Sequence, residues 1–232
     1  ALAVAQGHNN IALLFEVRRQ FADAANEYRA AVDGLTALDL RSPGNAEVEK
    51  NLATGWMNLA MSAKLSGDQD EEAKRLGSAL RYAEQAFERN RADPELPRLM
   101  KTLHWVRSEA LLHLLRLEES AEEAEAYAAV MPKEWLWPMN AAQRISAAVG
   151  LAQQDFDLSD AERAARARAL ALRAVALLHE GARRGYDRSV PGLAKMRDLE
   201  PLRSYPEFDA FIEEWSPRSP ASAPASAPAD GR

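Results

Sequence analysis

The sequence contains no cysteine, only four histidines and 7% aromatic residues in 232 positions. Without cysteine there is no disulfide, no thiolate nucleophile and no cysteine-based zinc site, which fits a reducing compartment such as the cytoplasm. Positive charge is also short. Lys+Arg 29 against Asp+Glu 35 gives a net charge of -6, so no general positive field draws in phosphate backbones or anionic lipid, and nucleic acid is disfavoured as a main partner. No stretch reaches the roughly 18 apolar residues that a membrane helix needs, and the richest run, Ala110 to Leu117, is broken by His113 and Arg116. Membrane insertion is not expected. The sequence also lacks a Gly-rich phosphate loop, a His-Glu-x-x-His pair, a Gly-x-Ser-x-Gly elbow and the kinase signatures. His104 and His113 are too far apart on one predicted helix to share a metal. No catalytic residue, cofactor or metal site is therefore assigned.

What is present favours helices. Alanine supplies 46 residues and leucine 29, both strong helix formers. Apolar residues recur at three- and four-residue steps over Phe21 to Leu38, Glu71 to Arg89, Ser120 to Val130 and Ser159 to Arg184. Breaks fall at Ser42-Pro43-Gly44-Asn45, Ser66-Gly67-Asp68, Asp93-Pro94 and Met131-Pro132. Ser120-x-x-Glu123 and Ser159-x-x-Glu162 have capping-box spacing and predict helix starts. The dense run Glu118, Glu119, Glu122, Glu123, Glu125 and the arginine series Arg163, Arg166, Arg168, Arg173, Arg183, Arg184 read as solvated, charge-paired faces. The segment 216–232 is so rich in Ser, Pro and Ala that a disordered tail is expected. At the other end, the helical pattern is already under way at Leu2 and Val4 with no signal peptide, which predicts a piece of a longer protein.

The chain is also similar to itself. HNNIALLFEVRRQ (His8 to Gln20) aligns without gaps on WMNLAMSAKLSGD (Trp56 to Asp68), 48 positions on, with Asn10 on Asn58 and Arg19 on Gly67. Trp105 follows Trp56 by 49 positions and Trp137 lies 32 beyond it, so each is expected to open an apolar first helix that a second helix answers. These residues resemble the tetratricopeptide repeat. His8-x-x-Ile11-Ala12-x-x-Phe15 looks like its first helix and Ala24-x-x-x-Tyr28-x-x-Ala31 like its second. Trp56-x-x-Leu59-Ala60 opens the next unit, where the matching Ala79-x-x-x-Ala83-x-x-Ala86-Phe87 arrives seven residues late. The stretched period is similar to the repeats behind the kinase domain of bacterial serine/threonine protein kinases, in planctomycetes and myxobacteria for example. Trp137-Pro138-Met139-Asn140-Ala141-Ala142, Gly185-Tyr186 and Asp198-Leu199-Glu200-Pro201-Leu202-Arg203-Ser204-Tyr205-Pro206-Glu207-Phe208 resemble the closing elements of those arrays.

The expected fold is all-α: a right-handed α-solenoid of about four antiparallel helix hairpins over residues 1–188, a C-terminal helical cap over 189–215 and the tail 216–232. In the cap, Pro201 and Pro206 are expected to start short helices, with Leu199, Leu202, Phe208, Phe211, Ile212 and Trp215 covering the last apolar face. The resemblance implies a protein-interaction module that binds a peptide or partner helix on the concave face lined by first helices. Its candidate residues are Gln6, Asn9, Asn10, Leu13 and Glu16, then Thr54, Met57, Asn58, Met61 and Lys64, with Arg107 and Asn140 beyond. Asn10 and Asn58 suit either a ligand or a tie between helices, and Met57 and Met61 either groove or core. Alternative readings are the interaction tail of a larger serine/threonine kinase and a self-associating spacer.

Overall fold

The computed structural model describes residues 2–186 and 193–215. Alanine-rich sequence between short breaks becomes helix almost throughout: α1 Leu2–Val17, α2 Phe21–Arg41, α3 Ala46–Leu65, α4 Gln69–Arg89, α5 Glu95–His113, α6 Leu117–Val130, α7 Leu136–Ala152, α8 Asp160–Arg183 and α9 Pro206–Trp215. Two 3-10 segments, Leu193–Lys195 and Arg197–Ser204, precede α9, and no strand occurs among the described residues. Each helix packs on the next in chain order from α1 to α8. Three-residue turns close the first three pairs into antiparallel hairpins. The all-α solenoid of helix hairpins is therefore the observed architecture. The expected tail 216–232, together with 187–192, lies outside the described residues.

Helix starts are set by side chains that accept free amide hydrogens. Asn45 accepts from Glu47 N at 3.0 Å and Val48 N at 3.3 Å, and Asp68 accepts from Glu71 N at 3.1 Å. Ser159 and Glu162 form the full capping box at the start of α8. The companion expectation fails, because Ser120 lies inside α6, which begins at Leu117. Ser120 is fully buried and clasps Ser108 of α5: Ser108 Oγ donates to Ser120 O at 2.8 Å and Ser120 Oγ to Ser108 O at 2.7 Å. The tryptophans also differ from expectation. Trp56 and Trp105 sit in the middle of α3 and α5, since the caps upstream let those helices begin earlier, and only Trp137 lies in a first turn.

The 48-residue period is visible in the backbone. Arg19, Gly67 and Leu115, one period apart, each take the left-handed conformation that ends a first helix, with φ of 59°, 78° and 58°. Side chains repeat it: His8 Nδ1 meets Glu27 Oε2 at 2.7 Å, and two periods later His104 Nδ1 meets Glu123 Oε2 at 2.7 Å. This fixes the third hairpin. His104, not Trp105, is the equivalent of Trp56, because the turn at Leu115 and not the tryptophan sets the register. The seven-residue delay in the second hairpin also disappears, since Glu72, Leu76 and Ala79 stand where the first hairpin has Ala24, Tyr28 and Ala31. All six are buried.

Close helix approach explains the small residues. A Cβ on Gly55 of α3 would lie 2.8 Å from Val32 Cγ2 of α2. Leu52 and Leu59 flank Gly55 and are buried in the same cluster as Val32 and Leu35. One period earlier, α1 carries Val4, Gly7 and Ile11, and here the face is bare: Gly7 has nothing within 4 Å, and Val4 and Ile11 are 63% and 44% exposed. At the other end the 3-10 helix Arg197–Ser204 packs on α7 and α9 packs on α8. Leu199, Leu202, Phe208 and Phe211 are buried there. Pro206 starts α9, whereas Pro201 lies inside the 3-10 helix and rests against Gly150 of α7.

Candidate protein-binding site

First helices α1, α3 and α5 lie side by side across the stack and enclose a groove of about 240 Å³. Leu13 and Glu16 of α1, Met57, Asn58, Met61 and Lys64 of α3, and Thr102 and Val106 of α5 form its walls, with Tyr28, Glu72 and Leu76 from second helices. The groove thus gathers Leu13, Met57, Asn58, Met61 and Lys64 from the sequence-derived face. Met61 is exposed at the groove, whereas the half-buried Met57 both lines the groove and packs on the neighbouring core cluster. Gln6 and Asn10 are exposed elsewhere on α1, and Asn9 is half-buried with Oδ1 enclosed and unbonded. Thr54 bonds to Lys50 O within its own helix at 3.1 Å.

Arg107 and Asn140 are placed apart from the groove. The period assigns Val106, not Arg107, to the position of Asn58. One residue turns a helical side chain by about 100°, and Arg107 accordingly faces α6, where its guanidinium pairs with Glu123. Asn140 donates to the Tyr127 hydroxyl at 3.4 Å.

Charge in and beside the groove forms a ladder across successive first helices. Lys64 Nζ of α3 lies 2.8 Å from Glu109 of α5, and Arg144 of α7 reaches the other oxygen of Glu109 at 3.4 Å. The Lys64 bond holds Glu109 below the usual carboxylate range, and the same bond raises Lys64. Glu72 is treated differently. It is 4% exposed, no side-chain hydrogen bond to its carboxylate occurs among the described residues, and its nearest cation is Lys64 at 3.9 Å. Burial pushes its carboxyl upward. Burial, followed by the charge of Glu16, likewise raises the Tyr28 hydroxyl.

Sequence reasoning missed a second, larger concavity of about 1010 Å³ between α5, α7 and the 3-10 helix, lined by Trp105, Arg144, Gly150, Pro201, Arg197 and Arg203 among others. Trp105 and Tyr127 rings stand 5.0 Å apart, Tyr127 and Trp137 5.7 Å, with Arg144 over Trp105 at 4.2 Å and Lys101 over Trp137 at 3.8 Å. Carrying the period from Met57 would have pointed to Trp105. Pro201 and Arg203 come from the closing 3-10 helix, a non-repeating element that the period does not reach. Among the described residues no three His, Asp or Glu side chains converge on a possible metal position.

No family model matches the chain, and no curated protein does. Among solved structures the chain is similar to a tetratricopeptide-repeat protein from Bacteroides fragilis, at 12% identity over 91% of this chain and 97% of that one, with a TM-score of 0.37.

Proposed function

We propose that the chain is a protein-binding scaffold that docks a peptide or partner helix in the groove between α1, α3 and α5 and performs no chemistry of its own. The observation that carries this is the groove itself. Met57, Met61, Asn58, Leu13 and Val106 from three first helices meet in one concavity that is not closed into core. Thioethers adapt to varied apolar shapes, and Asn58 can bond a peptide backbone. Gln6, Asn9, Asn10 and Thr54 stand on the same first helices outside the groove, and Arg107 and Asn140, turned to Glu123 and Tyr127, are left out of the proposed site.

The test is selection of displayed random peptides on the full chain. Selected peptides should lose binding to a Met57→Asp, Met61→Asp variant whose helicity by circular dichroism is unchanged. Equal binding of every peptide by that variant would remove the groove from the reading. The resemblance of the Asp198 to Phe208 segment to kinase-associated arrays supports a second reading, the interaction tail of a larger serine/threonine kinase. Sequencing the gene upstream of the codon for Ala1 tests it: kinase signatures in frame support it, and an open reading frame without them sinks it.

A further inference from the structure

The floor of the groove holds a carboxylate that packing does not require. Glu72 occupies the helix-crossing position at which the first hairpin has Ala24 and the third has Ser120, so a small neutral residue suffices there for the fold. A carboxylate at such a place costs stability unless it is paired and hydrogen-bonded. Its nearest cation, Lys64, is committed elsewhere, at 2.8 Å from Glu109 against 3.9 Å from Glu72. A second carboxylate faces the same space: Glu16 lines the groove, and its Oε1 is enclosed without a hydrogen-bond partner. Neither carboxylate is fully met, since Glu72 has only Lys64 at 3.9 Å and Glu16 only the Tyr28 hydroxyl beside it, while Leu13, Met57, Met61 and Val106 present apolar walls.

We propose that this groove receives a Lys or Arg side chain from an apolar stretch of a partner peptide, with Glu16 and Glu72 as its acceptors. The inference rests on the reading of the groove as a peptide site and names the chemistry of its ligand. A long basic side chain suits both parts of the cavity, since its methylene stem covers aliphatic and thioether surface while its head supplies several N–H donors. Charge-assisted bonds to enclosed carboxylates are the stronger kind. An acidic peptide would instead bring like charge against Glu16 and Glu72.

Random peptides displayed on phage and selected on the full chain supply the test, with affinities of synthetic versions measured by fluorescence anisotropy. Peptides that depend on Met57 and Met61 should carry Lys or Arg beside aliphatic residues. Their affinity should fall about tenfold or more in a Glu16→Gln, Glu72→Gln variant that keeps its circular dichroism spectrum. Peptides that need Met57 and Met61 yet lack a basic residue, or that bind the glutamine variant unchanged, overturn this inference and leave the groove standing as a peptide site. If no selected peptide depends on Met57 and Met61, the groove reading fails, and the basic-ligand inference fails with it.

Discussion

Glu72 shows how one residue can act against the local logic of its fold. Its folded-state carboxyl is shifted upward because burial disfavours the charged form. The sign follows from linkage. A group raised on folding gives its full contribution below its unfolded value, about 4.3 for glutamate, and loses it as pH rises through the higher folded value. Glu72→Gln removes that loss. The variant should therefore melt at a higher temperature than the parent at pH 7, with the difference shrinking toward zero near pH 4, as followed by circular dichroism at both pH values. A difference that is absent at pH 7, or that grows in acid, would mean that Glu72 is compensated in the free protein. Ser120 illustrates the opposite case. The same crossing position in the third hairpin carries a polar group that is fully satisfied by a reciprocal bond to Ser108, and so it ties two helices instead of waiting for a ligand.

The unit of the array is a hairpin whose first helix ends in a left-handed residue. Glycine adopts that conformation freely, whereas other residues do so at a cost of roughly 1–2 kcal/mol. Gly67 meets the demand without strain, and Arg19 and Leu115 meet it against their preference. Leu115 is 60% exposed, so little packing is lost with its side chain. Leu115→Gly should stabilise the chain by up to about 1 kcal/mol after the added backbone freedom of the unfolded state is subtracted. Gly67→Leu should destabilise it by about 1–2 kcal/mol, and urea denaturation measures both. Helix faces follow the same arithmetic. Val4, Gly7 and Ile11 repeat the pattern of Leu52, Gly55 and Leu59, yet only the latter set is covered, because α2 lies against α3 and no described helix lies against that side of α1.

Across the whole molecule, ion pairs join hairpins that the core clusters join only in part. Arg166 of α8 grips Glu118 of α6 through two bonds of 2.7 and 2.8 Å, and two helical turns later Arg173 grips Glu125 at 2.7 and 3.0 Å. Arg168 holds Glu207 of α9 at 2.7 Å and so links the closing helix to the array. Glu118 and Glu125 of α6 and Arg166 and Arg173 of α8 are thus complementary pairs on neighbouring second helices. Hydrogen bonding to Arg166 lowers the Glu118 carboxyl. The stabilisation from this pair is accordingly present above the unfolded value of about 4.3 and lost as pH falls through the lower folded value. Glu118 is half-exposed, so Glu118→Gln should cost no more than about 1 kcal/mol at pH 7 and low salt, less at high salt, and nothing in strong acid. Thermal melts at two salt concentrations and two pH values check it.

The sequence determined the helical class, the hairpin unit and its period, because alanine and leucine content, turn residues and three- to four-residue spacing are local properties read along one helix at a time. It also placed Leu13, Met57, Asn58, Met61 and Lys64 on one surface, since a period of 48 carries each position of a first helix onto its equivalent in the next. Tertiary structure alone decided where that period was hidden by substitution. Arg107 is expected from sequence on the concave face, but the turn at Leu115 puts Val106 at the groove, and a shift of one residue swings a helical side chain to another face. Ser120 and Glu123 had the spacing of a cap, but their partners are Ser108, His104 and Arg107 on the preceding helix. Only packing between helices reveals that Glu72 is enclosed with its cation drawn away to Glu109, because both the burial and the competition come from residues distant in sequence.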